Sequence, residues 1–88
     1  MYVYRNVMEK IVEEKLDEMF KTYNGCTCER CRADIMAITL NNIQPRYAVT
    51  DEGELFAKIQ CCNKRGELEI VKQLATAANI VKNNPNHN

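Results

Sequence analysis

Cys26-Thr27-Cys28-Glu29-Arg30-Cys31, followed after Arg32 by the run Ala33-Asp34-Ile35-Met36-Ala37-Ile38-Thr39-Leu40, decides how this chain folds. Three thiols this close together can grip one metal ion from a single loop. Zinc takes four ligands in a tetrahedron, and a site closed by four protein groups is structural, not catalytic. The fourth group must come from elsewhere, and Cys61-Cys62 is the obvious source. Neighbours on a helix point about 100° apart, so only one of that pair can reach the metal. The other is then a small buried hydrophobe or an unligated thiol. The expected centre is zinc on Cys26, Cys28, Cys31 and either Cys61 or Cys62. Unligated or redox-reversible thiols, disulfides, and an iron–sulfur or other metal centre remain open on the residues alone. Cys31 falls in the first turn of the following helix, whose positive end favours a thiolate. Arg30 and Arg32 stand ready to offset the charge. The run 33–40 is apolar on nearly every side, which predicts a helix buried all round. Asn41-Asn42 closes it, and Pro45 forces Gln44 out of the α region.

Towards the N-terminus, Tyr4, Met8, Ile11, Val12, Leu16, Met19, Phe20 and Tyr23 recur at steps of three and four. That period predicts a helix over about residues 3–23, with an acidic outer face, ended by Asn24-Gly25 as a left-handed cap. Towards the C-terminus, residues 46–50 have extended character. Thr50 or Asp51 then caps a short helix whose inner face carries Leu55, Phe56, Ile59 and Cys62. Residues 63–66 read as a turn. A last helix over about 67–82 carries the stripe Leu68, Val71, Leu74, Ala75, Ala78 and Val81, and residues 83–88 form a polar tail that frays. The expected architecture is all-α, a small bundle of about four helices in one domain over 1–88, stapled by the cysteine site. No internal repeat is visible.

Composition narrows the functions. In 88 residues there are five cysteines, one histidine and no tryptophan. His87 is that single histidine, so a histidine-based catalytic triad or a His-rich metal site is excluded within one chain. A chain this short buries a small core and benefits from a metal, a disulfide or a second subunit. Twelve Lys and Arg balance twelve Asp and Glu, so no basic field exists to hold a nucleic-acid backbone. No segment approaches the ~20 apolar residues of a membrane span. The N-terminus lacks the apolar core of a signal peptide, which gives a reducing cytoplasm as the expected compartment. There, clustered cysteines hold metals more often than they form disulfides.

Cys26-Thr-Cys28-Glu-Arg-Cys31, Asp34-Ile-Met-Ala-Ile-Thr-Leu40-Asn41 and Pro45-Arg46-Tyr47, with the closing Val81-x-x-Asn84-Pro85, resemble the ComFB family of bacterial late-competence proteins. The likeness spans most of the chain. It implies a small α-helical protein that dimerises and binds zinc through cysteines, and it connects some members with cyclic dinucleotides. A nearly two-fold ligand of that kind suits a dimer axis and needs cations and planar groups. Arg46 and Tyr47, beside Asn41 and Asn42, supply those chemical types as ligand-binding candidates. The expected function is a non-enzymatic homodimeric regulatory or adaptor module linked to competence and DNA uptake, with a protein partner. A cyclic dinucleotide receptor, for c-di-GMP or c-di-AMP, is the alternative. Ile11, Leu74 and Val81 are the expected dimer contacts. Asp34, an acid in an apolar helix, is expected to pair with Arg30 or Arg46.

Overall fold

The computed structural model describes residues 2–84. Its elements run β1 (Arg5–Asn6), α1 (Val7–Phe20), α2 (Glu29–Asn41), β2 (Tyr47–Ala48), α3 (Asp51–Cys61) and α4 (Lys64–Asn83). The fold is four helices with one minimal antiparallel ribbon, in which Arg5 faces Ala48 and Asn6 faces Tyr47. The frayed tail expected from residue 83 is displaced: Asn83 is the last residue of α4 and Asn84 its cap. Residues 85–88, with His87, lie outside the described residues.

Each helix starts on a side-chain acceptor, which satisfies an amide that helix geometry leaves without a partner. Asn6, Cys28, Thr50 and Asn63 accept from Met8, Cys31, Gly53 and Gly66 respectively. Two of these caps correct the sequence-based boundaries. Helix α1 begins at Val7, not Val3, because residues 5–6 are committed to the ribbon. It also ends at Phe20, before Asn24-Gly25, and no glycine among the described residues has positive φ. Asn63 caps α4 where a turn was expected, which draws Lys64, Arg65 and Gly66 into the helix. Gly66 is required there: a Cβ on it would collide with the Cys61 carbonyl oxygen. Its absence lets the start of α4 press against the end of α3.

The core lies between α1, α2 and α4, with α2 packing most extensively on α4. Val7, Met8, Ile11, Val12 and Leu16 of α1 meet Cys31 and Ile35 of α2 and Ile70, Leu74, Ala77, Ala78 and Val81 of α4. The α1 stripe is thus the one read from the sequence, apart from Tyr4, which is exposed. The other helices differ from expectation. Only Cys31, Ile35 and Thr39 of α2 are buried, while Ala33 and Ala37 face solvent. The inner face of α4 is shifted, with Leu68, Val71 and Ala75 outside. Leu55, Phe56 and Ile59 of α3 are likewise exposed, and α3 instead turns Glu54 and Ala57 inward. Glu54 is bound by Arg5 and Lys10, so this buried acid ties the N-terminal strand and α1 to α3. Those bonds hold its carboxyl below the usual range, the Arg5 hydrogen bond first among them.

Candidate metal centre and ligand cleft

The sulfurs of Cys26, Cys28 and Cys31 lie within 4.8 Å of one another. In a tetrahedral thiolate zinc site, with Zn–S near 2.3 Å, sulfurs stand about 3.8 Å apart. A small inward adjustment therefore fits these three to one ion. Cys28 sits at the N-cap of α2, where its sulfur accepts the Cys31 N–H at 3.4 Å. That bond, with help from the Cys26 thiol, lowers the Cys28 thiol pKa. Cys31, in the first turn, is wholly buried. Burial, then its contacts with Cys28 and Cys26, pushes its thiol up to about 12. One thiol is thus primed as a thiolate and another is kept protonated, and a cation entering the triad would displace the latter's proton.

The loop that presents the triad is held from the α1 side. Tyr23 stacks on Phe20 with centroids 5.4 Å apart and donates its hydroxyl to the Ala78 carbonyl at 3.1 Å. Burial and the neighbouring Cys31 and Cys26 raise the Tyr23 hydroxyl pKa. Arg32 lies over the Phe20 ring and bonds Asp17, while Arg30 bonds Asp34 at 3.3 Å. The two arginines expected to offset thiolate charge are both engaged by carboxylates. Asp34 pairs with Arg30, as one expectation had it, and not with Arg46.

Cys61 and Cys62 are not part of the triad. Cys61 lines a cleft together with Asn41 and Asn42, at the far end of α2, which at 1.5 Å per residue is about 15 Å from Cys31. Cys62 is exposed and near enough to Lys15 to influence its charge. No disulfide joins any of the cysteines. Among the described residues no further Cys, His, Asp or Glu joins the group. The spacing of the first three thiols was legible because they share one loop. The position of the other two depended on which face α3 turns inward.

The cleft has a volume of about 860 Å³, at the upper end of the usual range for small-molecule sites. Its floor is apolar, from Met8, Ile43 and Ile70, and amides and two arginines line its walls. Three of the four ligand candidates, Asn41, Asn42 and Arg46, are there. Tyr47 is not; it packs edge-on against Tyr4, centroids 5.9 Å apart. Arg46 is fixed from three directions. Its amide donates to Asn6 Oδ1 at 2.9 Å, its carbonyl accepts from the Val7 amide at 2.6 Å, and its guanidinium donates to Gln60 at 3.1 Å. Sequence reasoning missed Asn63, the cap of α4, and Arg65 and Glu69 of α4 itself, which all line the cleft. The signal was Asn63: as an N-cap it places Arg65 in a first helical turn.

A family model described as late competence development protein ComFB matches residues 5–85. The chain belongs to the ComFB family. Competence protein ComFB of Bacillus subtilis (strain 168) is 28% identical over 81 residues, covering 91% of this chain and 83% of that protein. The solved structure described as a structural characterization of the late competence protein ComFB from Bacillus subtilis superposes with a TM-score of 0.87 at 26% identity. That match covers 96% of this chain and 93% of the other. The all-α ComFB fold expected from the sequence is thereby shown. No helix among the described residues is long and apolar enough to cross a membrane.

Proposed function

We propose that this ComFB-family chain is a non-enzymatic regulatory or adaptor module of competence, stapled by zinc on Cys26, Cys28 and Cys31 and working as a cytoplasmic homodimer. The observation that carries the docking role is the apolar outer face of the α3–α4 hairpin. Leu55, Phe56, Ile59, Leu68 and Val71 are each between 51% and 69% exposed. Isolated apolar side chains on a surface are ordinary, but a cluster at helical spacing on two adjoining helices marks an interaction face. A second copy is the occupant this face suits. One hairpin presents the whole patch, as a two-fold interface requires, and zero net charge opposes no self-association. Ile11, Leu74 and Val81, the contacts expected from sequence, are buried inside the chain and unavailable. Native mass spectrometry of the purified protein should give twice the chain mass with one zinc per chain. Phe56→Glu should give the monomer with zinc retained. A monomeric wild type at low micromolar concentration overturns the dimer, and a folded, equally stable, metal-free wild type overturns the staple.

The cleft favours a second reading, a cyclic dinucleotide receptor in which Arg46 holds phosphate. Its size, its amides and a guanidinium that bonds no carboxylate support that reading. Calorimetry of the metal-loaded protein with c-di-GMP and c-di-AMP tests it, and absence of heat with both leaves the adaptor role.

A further inference from the structure

The three thiols leave a tetrahedral ion one corner short, and among the described residues no further Cys, His, Asp or Glu stands with them. Cys31 is wholly buried, whereas Cys28 is exposed and Cys26 half-buried. The triad therefore has an outer side through which a fourth donor can arrive. The end of α2 shares the cleft with the start of α4, so these two packed helices run antiparallel. The thiols, at the start of α2, accordingly lie beside the last turns of α4: Cys31, Ala78 and Val81 belong to one buried cluster. Tyr23, just before the thiol loop, donates its hydroxyl to the Ala78 carbonyl at 3.1 Å, which fastens that loop to the same stretch of α4. From Ala78 the helix rises to its cap Asn84, about 9 Å at 1.5 Å per residue. Pro85 cannot continue a helix. His87, the single histidine, follows shortly after the cap, outside the described residues. The span from Asn84 to His87 is about 10 Å when extended, enough to bring an imidazole back to the level of Ala78.

We infer that His87 of the same chain is the fourth zinc ligand, so that three thiolates and one imidazole close the centre and tie the C-terminal tail to the start of α2. The inference rests on the zinc reading of the triad and deepens it. Three cysteines with one histidine are an established structural zinc set. Charge favours the imidazole over a fourth thiolate. Zinc with three thiolates carries one net negative charge; a neutral ring leaves it there, whereas another thiolate doubles it. The flanking cations, Arg30 and Arg32, are already bonded to Asp34 and Asp17, so the site has little positive charge with which to offset more. Cys61 lines the cleft at the other end of α2. Because the ligand is the neutral imidazole, ligation holds His87 unprotonated below its ordinary pKa of about 6.5.

The test follows the one histidine directly. In the untagged full-length chain a single pair of imidazole nitrogens is observed by 1H–15N NMR, in zinc-loaded and in chelator-treated protein, from pH 5.5 to 8. Without metal the ring should titrate near its ordinary pKa of about 6.5. With zinc it should stay neutral across that range, with one nitrogen shifted by the metal. A second measurement replaces zinc with Co2+ in wild type, His87→Ala, His87→Cys and Asn86→Ala. His87→Ala should keep the ion on three thiolates but hold it at least tenfold more weakly in chelator competition, with a changed visible spectrum. His87→Cys should restore the affinity with a four-thiolate spectrum, and Asn86→Ala should match wild type. Identical ring titration with and without zinc, or an unchanged cobalt spectrum and affinity in His87→Ala, overturns the inference and leaves the three-thiol centre standing. A wild type that takes up no stoichiometric metal removes both.

Discussion

The two ends of α2 carry polar groups in opposite arrangements. At the start, three sulfurs converge within 4.8 Å of one another, one of them fully buried. At the end, Asn41 and Asn42 belong to an open cleft of about 860 Å³ whose walls come from several separate segments. Convergent, partly buried ligands suit a permanently held ion, whose binding energy becomes folding energy. Dispersed amides and guanidiniums around an open space suit a ligand that enters and leaves. One helix therefore joins a thiol triad to an open cleft, and damage at the two ends should register in different measurements.

The sharpest break in that comparison is expected at the staple. Cys31→Ser should abolish stoichiometric zinc and lower the melting temperature by ~10–20 °C, on the basis of about 2–3 kcal/mol for losing a metal clamp in a domain of this size. Zinc analysis and thermal melts check this. A second, smaller effect concerns pH. Burial raises the Cys31 pKa in the metal-free fold from its ordinary 9.0 to about 12. Between those values the unfolded chain has released a proton that the folded chain still holds, so stability falls as pH rises. Chelator-treated protein should melt several degrees lower at pH 10 than at pH 8. Zinc-loaded protein, its thiolates already ionised, should show less of this decline. Equal slopes would mean that Cys31 does not ligate.

The sequence carried the thiol triad and α1 more fully than it carried the cleft. Cys26, Cys28 and Cys31 are neighbours on one loop, so spacing alone brings them together. The α1 stripe is unambiguous because its opposite face is uniformly charged. On α3 and α4 each helix has two apolar stripes, Leu55-Phe56-Ile59 against Ala57, and Leu68-Val71 against Ile70-Leu74-Ala77. Hydrophobic period alone cannot choose between them, and large side chains attract the choice. On α3 the structure buries the small Ala57 and leaves Leu55, Phe56 and Ile59 outside; on α4 it buries Ile70, Leu74 and Ala77 and leaves Leu68 and Val71 outside. Cys61 and Cys62 were drawn towards the metal by a different argument, the need of a tetrahedral ion for a fourth ligand. The cleft was legible only where its residues are local, at Asn41, Asn42 and Arg46; Arg65 and Glu69 arrive through tertiary packing.

Smaller effects sharpen the contrast from the cleft end. Arg46→Ala should weaken any cyclic dinucleotide binding at least tenfold while zinc content stays at one per chain. Its melting temperature should stay within a few degrees of wild type, since the lost side-chain bond to Gln60 is exposed. Loss of the fold in that variant would make Arg46 a structural residue. Smallest of all, Cys61→Ser and Cys62→Ser should each leave zinc content unchanged, measured by metal analysis after dialysis. A fall in either would return that cysteine to the metal centre and merge the two ends that the structure separates.

Asn6 has a consequence for the order in which the protein is made. Its side-chain oxygen accepts from Met8, two residues on, and from Arg46, forty residues on. The first partner leaves the ribosome almost together with Asn6, so α1 can be capped at once. The second is synthesised several seconds later at roughly 5–20 residues per second. The same oxygen thus serves first a nascent helix and then a finished wall of the cleft. Until residues 47 and 48 arrive, the N-terminal strand has nothing to pair with, and the cleft acquires its first arginine only when that long loop closes.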